Sequence, residues 1–130
     1  MSTTVVLLLL ISPGAAQSGS TAHEALSAGI KHLERAEYAD ALKDFDRALD
    51  AYAAAERLED ARHEYMQLFV GNRNYANVLM KAMKTWVERH RTDAGGLTAA
   101  AFAEFDAWVQ ERDALAAATI NLVHNSPDWK

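Results

Sequence analysis

Apolar side chains recur along most of this chain at steps of three and four, the period of a helix that turns one face to a core. Leu26, Ile30 and Leu33 form a first stripe, and Tyr38, Ala41, Leu42, Phe45, Ala48, Leu49 and Tyr52 a second, with a polar stretch at 34–37 predicting a turn between them. Behind the second stripe stand Asp40, Lys43, Asp44, Asp46, Arg47 and Asp50, a face suited to water. Residues 53–58 hold no Gly or Pro, so the chain either turns near Glu56 or runs on as one rod toward Phe69; a turn is the expectation. Ala61, Tyr65, Leu68 and Phe69 make the third stripe, closed by Gly71 as a helix C-cap, with Asn72 or Asn74 capping the next start. Tyr75, Val78, Leu79, Ala82, Met83 and Trp86 give the cleanest period, and Arg89, His90 and Arg91 fall where positive charge offsets the helix dipole. After a loop at 93–96, a last helix begins near Thr98, carries Phe102, Phe105, Trp108, Val109, Leu115, Thr119, Leu122 and Val123, and ends at Pro127.

The first helix is expected to begin near Ala22, because Thr21-Ala22-His23-Glu24 has the spacing of a capping box. Ahead of it, residues 5–11 are an unbroken apolar run followed by Pro13, Gly14, Ala15 and Ala16, which resembles a secretory leader over 1–21. Residues 1–4 carry no Lys or Arg, unlike the positive start of an export signal. The run is far shorter than the roughly 20 residues a membrane-spanning helix needs, so no stable membrane span is expected. Read as a buried strand, it would lack a pairing partner elsewhere in the chain. The protein is exported or periplasmic if residues 1–22 are a cleaved leader, and cytoplasmic otherwise. The remainder, 22–126, reads as a single helical domain.

Length and composition agree with one domain: 130 residues, half of them apolar, suffice for one core and not for two. A formal charge of -5, spread through mixed-sign segments, argues for solubility and against nucleic-acid binding. The absence of cysteine removes disulfides, thiolate metal sites and thiol nucleophiles together.

Within residues 22–55, Gly29 is followed by Tyr38, and then by Ala41, Phe45 and Ala48 at steps of three, four and three. This pattern resembles a tetratricopeptide repeat, although Ala25 and Ala36 stand where that family usually has a large aromatic and a glycine. A degenerate second copy spans 56–92: Asn74-Tyr75-Ala76-Asn77-Val78-Leu79 echoes Glu37-Tyr38-Ala39-Asp40-Ala41-Leu42, with the tyrosines 37 residues apart. The resemblance implies an all-α fold of antiparallel helical hairpins, about five helices, in which Gly29, Tyr38, Ala41, Phe45, Ala48 and Tyr75 pack helix on helix. Arrays of this kind usually need about three repeats. The helix at 97–125 is therefore expected to act as a cap on the second hairpin through Phe102, Phe105, Trp108 and Leu115, or else to dock on another subunit.

The resemblance also implies a peptide-binding face on the first helix, here His23, Leu26, Ile30 and Leu33. Its apolar character suits an amphipathic partner helix, and equally a groove filled by the protein's own parts. The basic residues Arg73, Lys81, Lys84, Arg89 and Arg91, against Glu88 alone, offer a strip for an acidic partner or merely balance the acidic helices beside them. Asp60 and His63 with Glu59 and Glu64 are too few and too dispersed for a predicted metal centre. No nucleophile motif or phosphate loop is present. The expectation is a non-enzymatic protein-interaction module or adaptor with a protein or peptide partner and no cofactor, metal or catalytic residue. The alternatives are a structural subunit docking through the C-terminal helix, including as a homo-oligomer, and less favoured, a small-ligand or metal-binding bundle.

Overall fold

The computed structural model describes the backbone of residues 14–93 and 97–125, and the side chains of 21–93 and 97–116. Among these residues the protein is all-α: α1 (Gly14–Glu34), α2 (Tyr38–Ala54), α3 (Leu58–Gly71), α4 (Arg73–Arg89) and α5 (Ala99–Asn125). No helix among them is long and apolar enough to cross a membrane. The apolar run at 5–11 and Pro127 lie outside the described residues.

The first helix departs from expectation at its start. It already runs from Gly14, so Thr21 lies inside α1 and caps nothing, and the boundary drawn at residue 21 falls within a continuous helix. Thr and Glu three positions apart also stand one turn apart within a helix, so their spacing alone does not mark a start. Ala15 and Ala16, strong helix formers, support the extension toward the N-terminus.

α1 and α2 form the tightest hairpin. A Cβ built on Gly29 would lie 2.5 Å from Cε1 of Phe45, so the absent side chain is what lets the Phe45 ring reach the α1 backbone. Ala22, Ala25, Ala41 and Ala48 are buried around this crossing. Tyr38, expected to pack here, is instead 58 % exposed. It shares a face with Ala41 and Phe45, but it is the first residue of α2, and helical side chains lean toward the N-terminus. The tyrosine therefore projects past the end of α1. Its counterpart Tyr75 is half-buried against the core.

The chain breaks between Ala54 and Leu58, so 38–69 is no single rod. The two turns are built alike. Ala36 and Glu56 both adopt left-handed backbone, with φ of 60° and 57°. Glu37 N donates to His32 O and Ala36 N to Leu33 O; twenty residues on, Arg57 N donates to Tyr52 O and Glu56 N to Ala53 O. This is the pattern of a Schellman motif, which satisfies the last carbonyls of a helix. At the α3–α4 junction Asn72 is extended, and its side chain accepts from Tyr75 N at 3.2 Å, as expected of a cap. Gly71 closes α3 without left-handed geometry.

α5 lies over the second hairpin. Trp108 meets Tyr65 of α3 edge-on at 5.6 Å, and Trp86 of α4 meets Phe105 edge-on at 5.8 Å and Phe102 at 6.2 Å. Edge-to-face pairs of this kind are favourable beyond the area they bury. Thr98 Oγ1 accepts from Ala101 N at 3.1 Å at the start of α5. The fourth residue expected in this cap, Leu115, is 50 % exposed because α3 ends at Gly71, leaving part of its surface uncovered.

Candidate functional site

The face expected to hold a partner is largely closed. Leu26 is 3 % exposed and Leu33 4 %, both inside the core, while Ile30 is partly buried against it and only His23 is exposed. The physical reason lies in the spacing itself: positions 26, 30 and 33 flank Gly29 on one helical face, and Gly29 is the contact to Phe45. A face pressed against α2 cannot also be an open groove. His23 instead stands 3.6 Å from Glu64 of α3.

Apolar surface is open elsewhere, where α3, the start of α4 and α5 converge. Tyr65, Met66 and Phe69 of α3, with Leu115 and Ala116 of α5, wall a cavity of about 150 Å³. Met66 and Leu115 are exposed, and Val70, one turn beyond Met66, is 85 % exposed. Arg73, Asn77 and Arg112 complete the lining. The Arg73 guanidinium rests 4.4 Å from the centre of the Phe69 ring. Arg112 approaches Glu111 only to 3.7 Å, and its Nε is buried with no hydrogen-bond partner among the described residues. Burial raises the Tyr65 hydroxyl pKa above its ordinary value, while the charges of Arg112 and Arg73 pull against that rise. The cleft thus combines an aromatic floor with two guanidinium groups.

The basic strip of α4 is mostly consumed within the fold. Arg89 donates to Asp46 at 2.7 Å and to Asp50 at 3.1 Å, tying α4 to α2, and the bond to Asp46 holds its pKa above the usual arginine value. Arg91 donates to Asp106 of α5 at 2.8 Å, and Lys84 pairs with Asp113 at 3.1 Å. Trp86 Nε1 donates to Asp50 at 2.8 Å. Asp46 and Asp50, read from the sequence as a solvated face, are therefore the anchor for α4.

Two polar clusters bring His and acidic side chains together. His32, Glu37 and Asp40 offer ligand atoms within 4.8 Å of one another. His32 already engages Glu37 through Nδ1 at 2.7 Å and Asp44 through Nε2 at 3.3 Å, which latches the α1–α2 turn. Asp60, His63 and Glu64, grouped in sequence, line an open cavity of about 320 Å³ with His23, Arg57 and Tyr52. Asp60 is held there by Arg57 at 2.6 Å, and burial, aided by Glu64 and Asp60, pushes the Tyr52 hydroxyl pKa up to about 12. A tyrosine so raised stays neutral and is no nucleophile near neutral pH.

No family model, curated protein or solved structure matches this chain. The site's geometry therefore carries the functional reading. Sequence reasoning missed Val70 because it lies off the main α3 stripe. Its spacing of four from Met66, on the far side from Ala61 and Leu68, was the available signal.

Proposed function

We propose that the chain is a non-enzymatic protein-interaction module, built from two helical hairpins of tetratricopeptide-like design and a capping helix, and that it docks its partner at the cleft between α3, α4 and α5. The observation that carries this reading is a cavity at one end of the second hairpin with the exposed apolar side chains Met66 and Leu115 in its wall, and a third, Val70, one helical turn from Met66. Scattered exposed apolar residues need no explanation; a contiguous group beside a cavity marks an interaction surface. The left-handed Ala36, at the position where the resembled family usually has glycine, supports the repeat part of the reading.

The test is site-specific photocrosslinking in the cells that make the protein. A benzophenone side chain at position 70 should yield a discrete adduct with another polypeptide, and one at Lys43, on the outer face of α2, should not. Absence of an adduct from position 70, or the same adduct from both positions, would overturn the proposal. Leu115 belongs to α5, so the same surface also supports the second reading, a subunit docking through its last helix. An adduct at twice the mass of the chain would favour that one.

A further inference from the structure

We propose that the cleft continues as one groove along α4 and α5 and accepts an acidic amphipathic helix of a partner protein. The inference rests on the docking reading above and adds the partner's chemistry.

Continuity comes from the lining. A second cavity, of about 390 Å³, lies between Met80, Lys81, Lys84 and Thr85 of α4 and Asp113 of α5, and it shares Asn77 and Ala116 with the first. From Arg73 to Thr85 the groove follows α4 for about 18 Å at 1.5 Å per residue, the length of about three turns of a bound helix. The first cavity, at about 150 Å³, has the volume that a benzene ring occupies in an apolar core. It therefore takes one Leu or Phe anchor, with further anchors a turn or two along the partner helix reaching the second cavity.

Charge selects among occupants. Arg73, Lys81 and Arg112 border the groove, Arg112 with Glu111 3.7 Å away, while Lys84 and Asp113 neutralise each other. In a chain of net charge -5 this is a local reversal of sign, and it matches carboxylates on both flanks of an incoming helix. A second copy of the chain, docked face to face, would bring two sets of these cations together. The chain's own apolar run at 5–11 contains no acid and would leave the arginines unmatched.

The test uses the full chain and three labelled peptides of about four helical turns: leucines on one face with glutamate elsewhere, the same leucines with lysine elsewhere, and the glutamate peptide with its leucines scattered. By fluorescence anisotropy the first should bind at least about ten-fold more tightly than the other two, and weaken several-fold between about 0.05 and 0.5 M salt. Arg73→Glu and, separately, Met66→Asp should each weaken it by about ten-fold or more with unchanged thermal melts, since both side chains line the groove and are exposed. Equal binding of the lysine peptide would overturn the charge assignment and leave docking standing. Failure of all three peptides would overturn the docking reading with it. Concentration-dependent dimers in sedimentation, abolished by Met66→Asp, would assign the groove to a second copy and overturn the proposal.

Discussion

The α1–α2 hairpin and the α3–α5 unit solve the same packing problem with opposite materials. The first closes on small residues, with Gly29, Ala25, Ala41 and Ala48 bringing two backbones close around a single ring, Phe45, and it leaves little apolar surface except Tyr38. The second is filled by Tyr65, Trp86, Phe102, Phe105 and Trp108, rings that hold three helices further apart. Small residues make a seal because neither helix needs to accommodate the other's shape. Large rings at fixed edge-on angles bridge a wider gap, and where α3 ends the gap stays open as the cleft.

The difference breaks most visibly when a ring is removed. Trp86 is fully buried, touches Phe102, Phe105 and His90, and donates to Asp50, so it joins α5, α4 and α2. Trp86→Ala should cost about 3–5 kcal/mol, visible as a lower midpoint in denaturant unfolding with loss of α5 protection in hydrogen exchange. Trp86→Phe, which keeps the packing and drops the bond to Asp50, should cost about 1–2 kcal/mol. Equal losses from the two variants would mean that the indole N–H, and not the ring, holds the aromatic unit together.

At the seam between the regions stands Tyr52, at the end of α2 and facing α3. Its folded pKa of about 12 exceeds the ordinary 10, so the folded protein holds this proton more tightly than the unfolded chain. Its contribution is intact below pH 10 and is lost as pH rises from 10 to 12, by up to about 2 kcal/mol. Tyr52→Phe should flatten this part of the stability profile, measured by urea unfolding at pH 9 and 11.5.

Much of the first region was legible in the sequence, and less of the second. The approach of Gly29 to Phe45 follows from a small residue set opposite an aromatic in paired stripes, a relation that needs only two helices. Tyr38 misled because periodicity tells which face a residue shares and not whether the neighbouring helix still extends beside it. The turn at Glu56 was uncertain because a glutamate in left-handed backbone carries no local signature. For Leu26 and Leu33 the sequence left a partner groove and a self-filled face both open, and their burial against α2 fits the second, because one helical face cannot serve both. The cleft depends on where three helices end relative to one another, and no single stripe encodes that.

A smaller effect tests the seal directly. In Gly29→Ala the added methyl would stand 2.5 and 2.7 Å from two Phe45 ring carbons, so ring or helix must shift. Overpacking of this kind costs about 1–3 kcal/mol, offset by about 1 kcal/mol of helix propensity, for a net loss of up to about 2 kcal/mol. Phe45→Leu, placed on top, should lose less than it does in the Gly29 background, because the smaller side chain frees the space that the methyl takes. An additive double mutant would show that the two helices separate freely and that the hairpin is no tighter than the aromatic unit.

The smallest effect compares the two turns that link these regions. Ala36 and Glu56 occupy matching places in their Schellman motifs, each exposed and each in left-handed backbone, where an L side chain meets its own carbonyl at a cost of about 1–2 kcal/mol. Glycine removes that cost and adds freedom to the unfolded chain, so Ala36→Gly and Glu56→Gly should each stabilise by about 0.5–1 kcal/mol in thermal unfolding. The turns differ in one respect. Glu37, following Ala36, is bonded to His32, which also meets Asp44, whereas Arg57, following Glu56, pairs forward with Asp60 of α3. Through side chains, the first turn is latched back to the helix it ends, and the second only to the helix it begins. Relief at position 56 should therefore be accompanied by the larger drop in amide exchange across its turn, because there the left-handed residue is the weakest element holding the helix end closed.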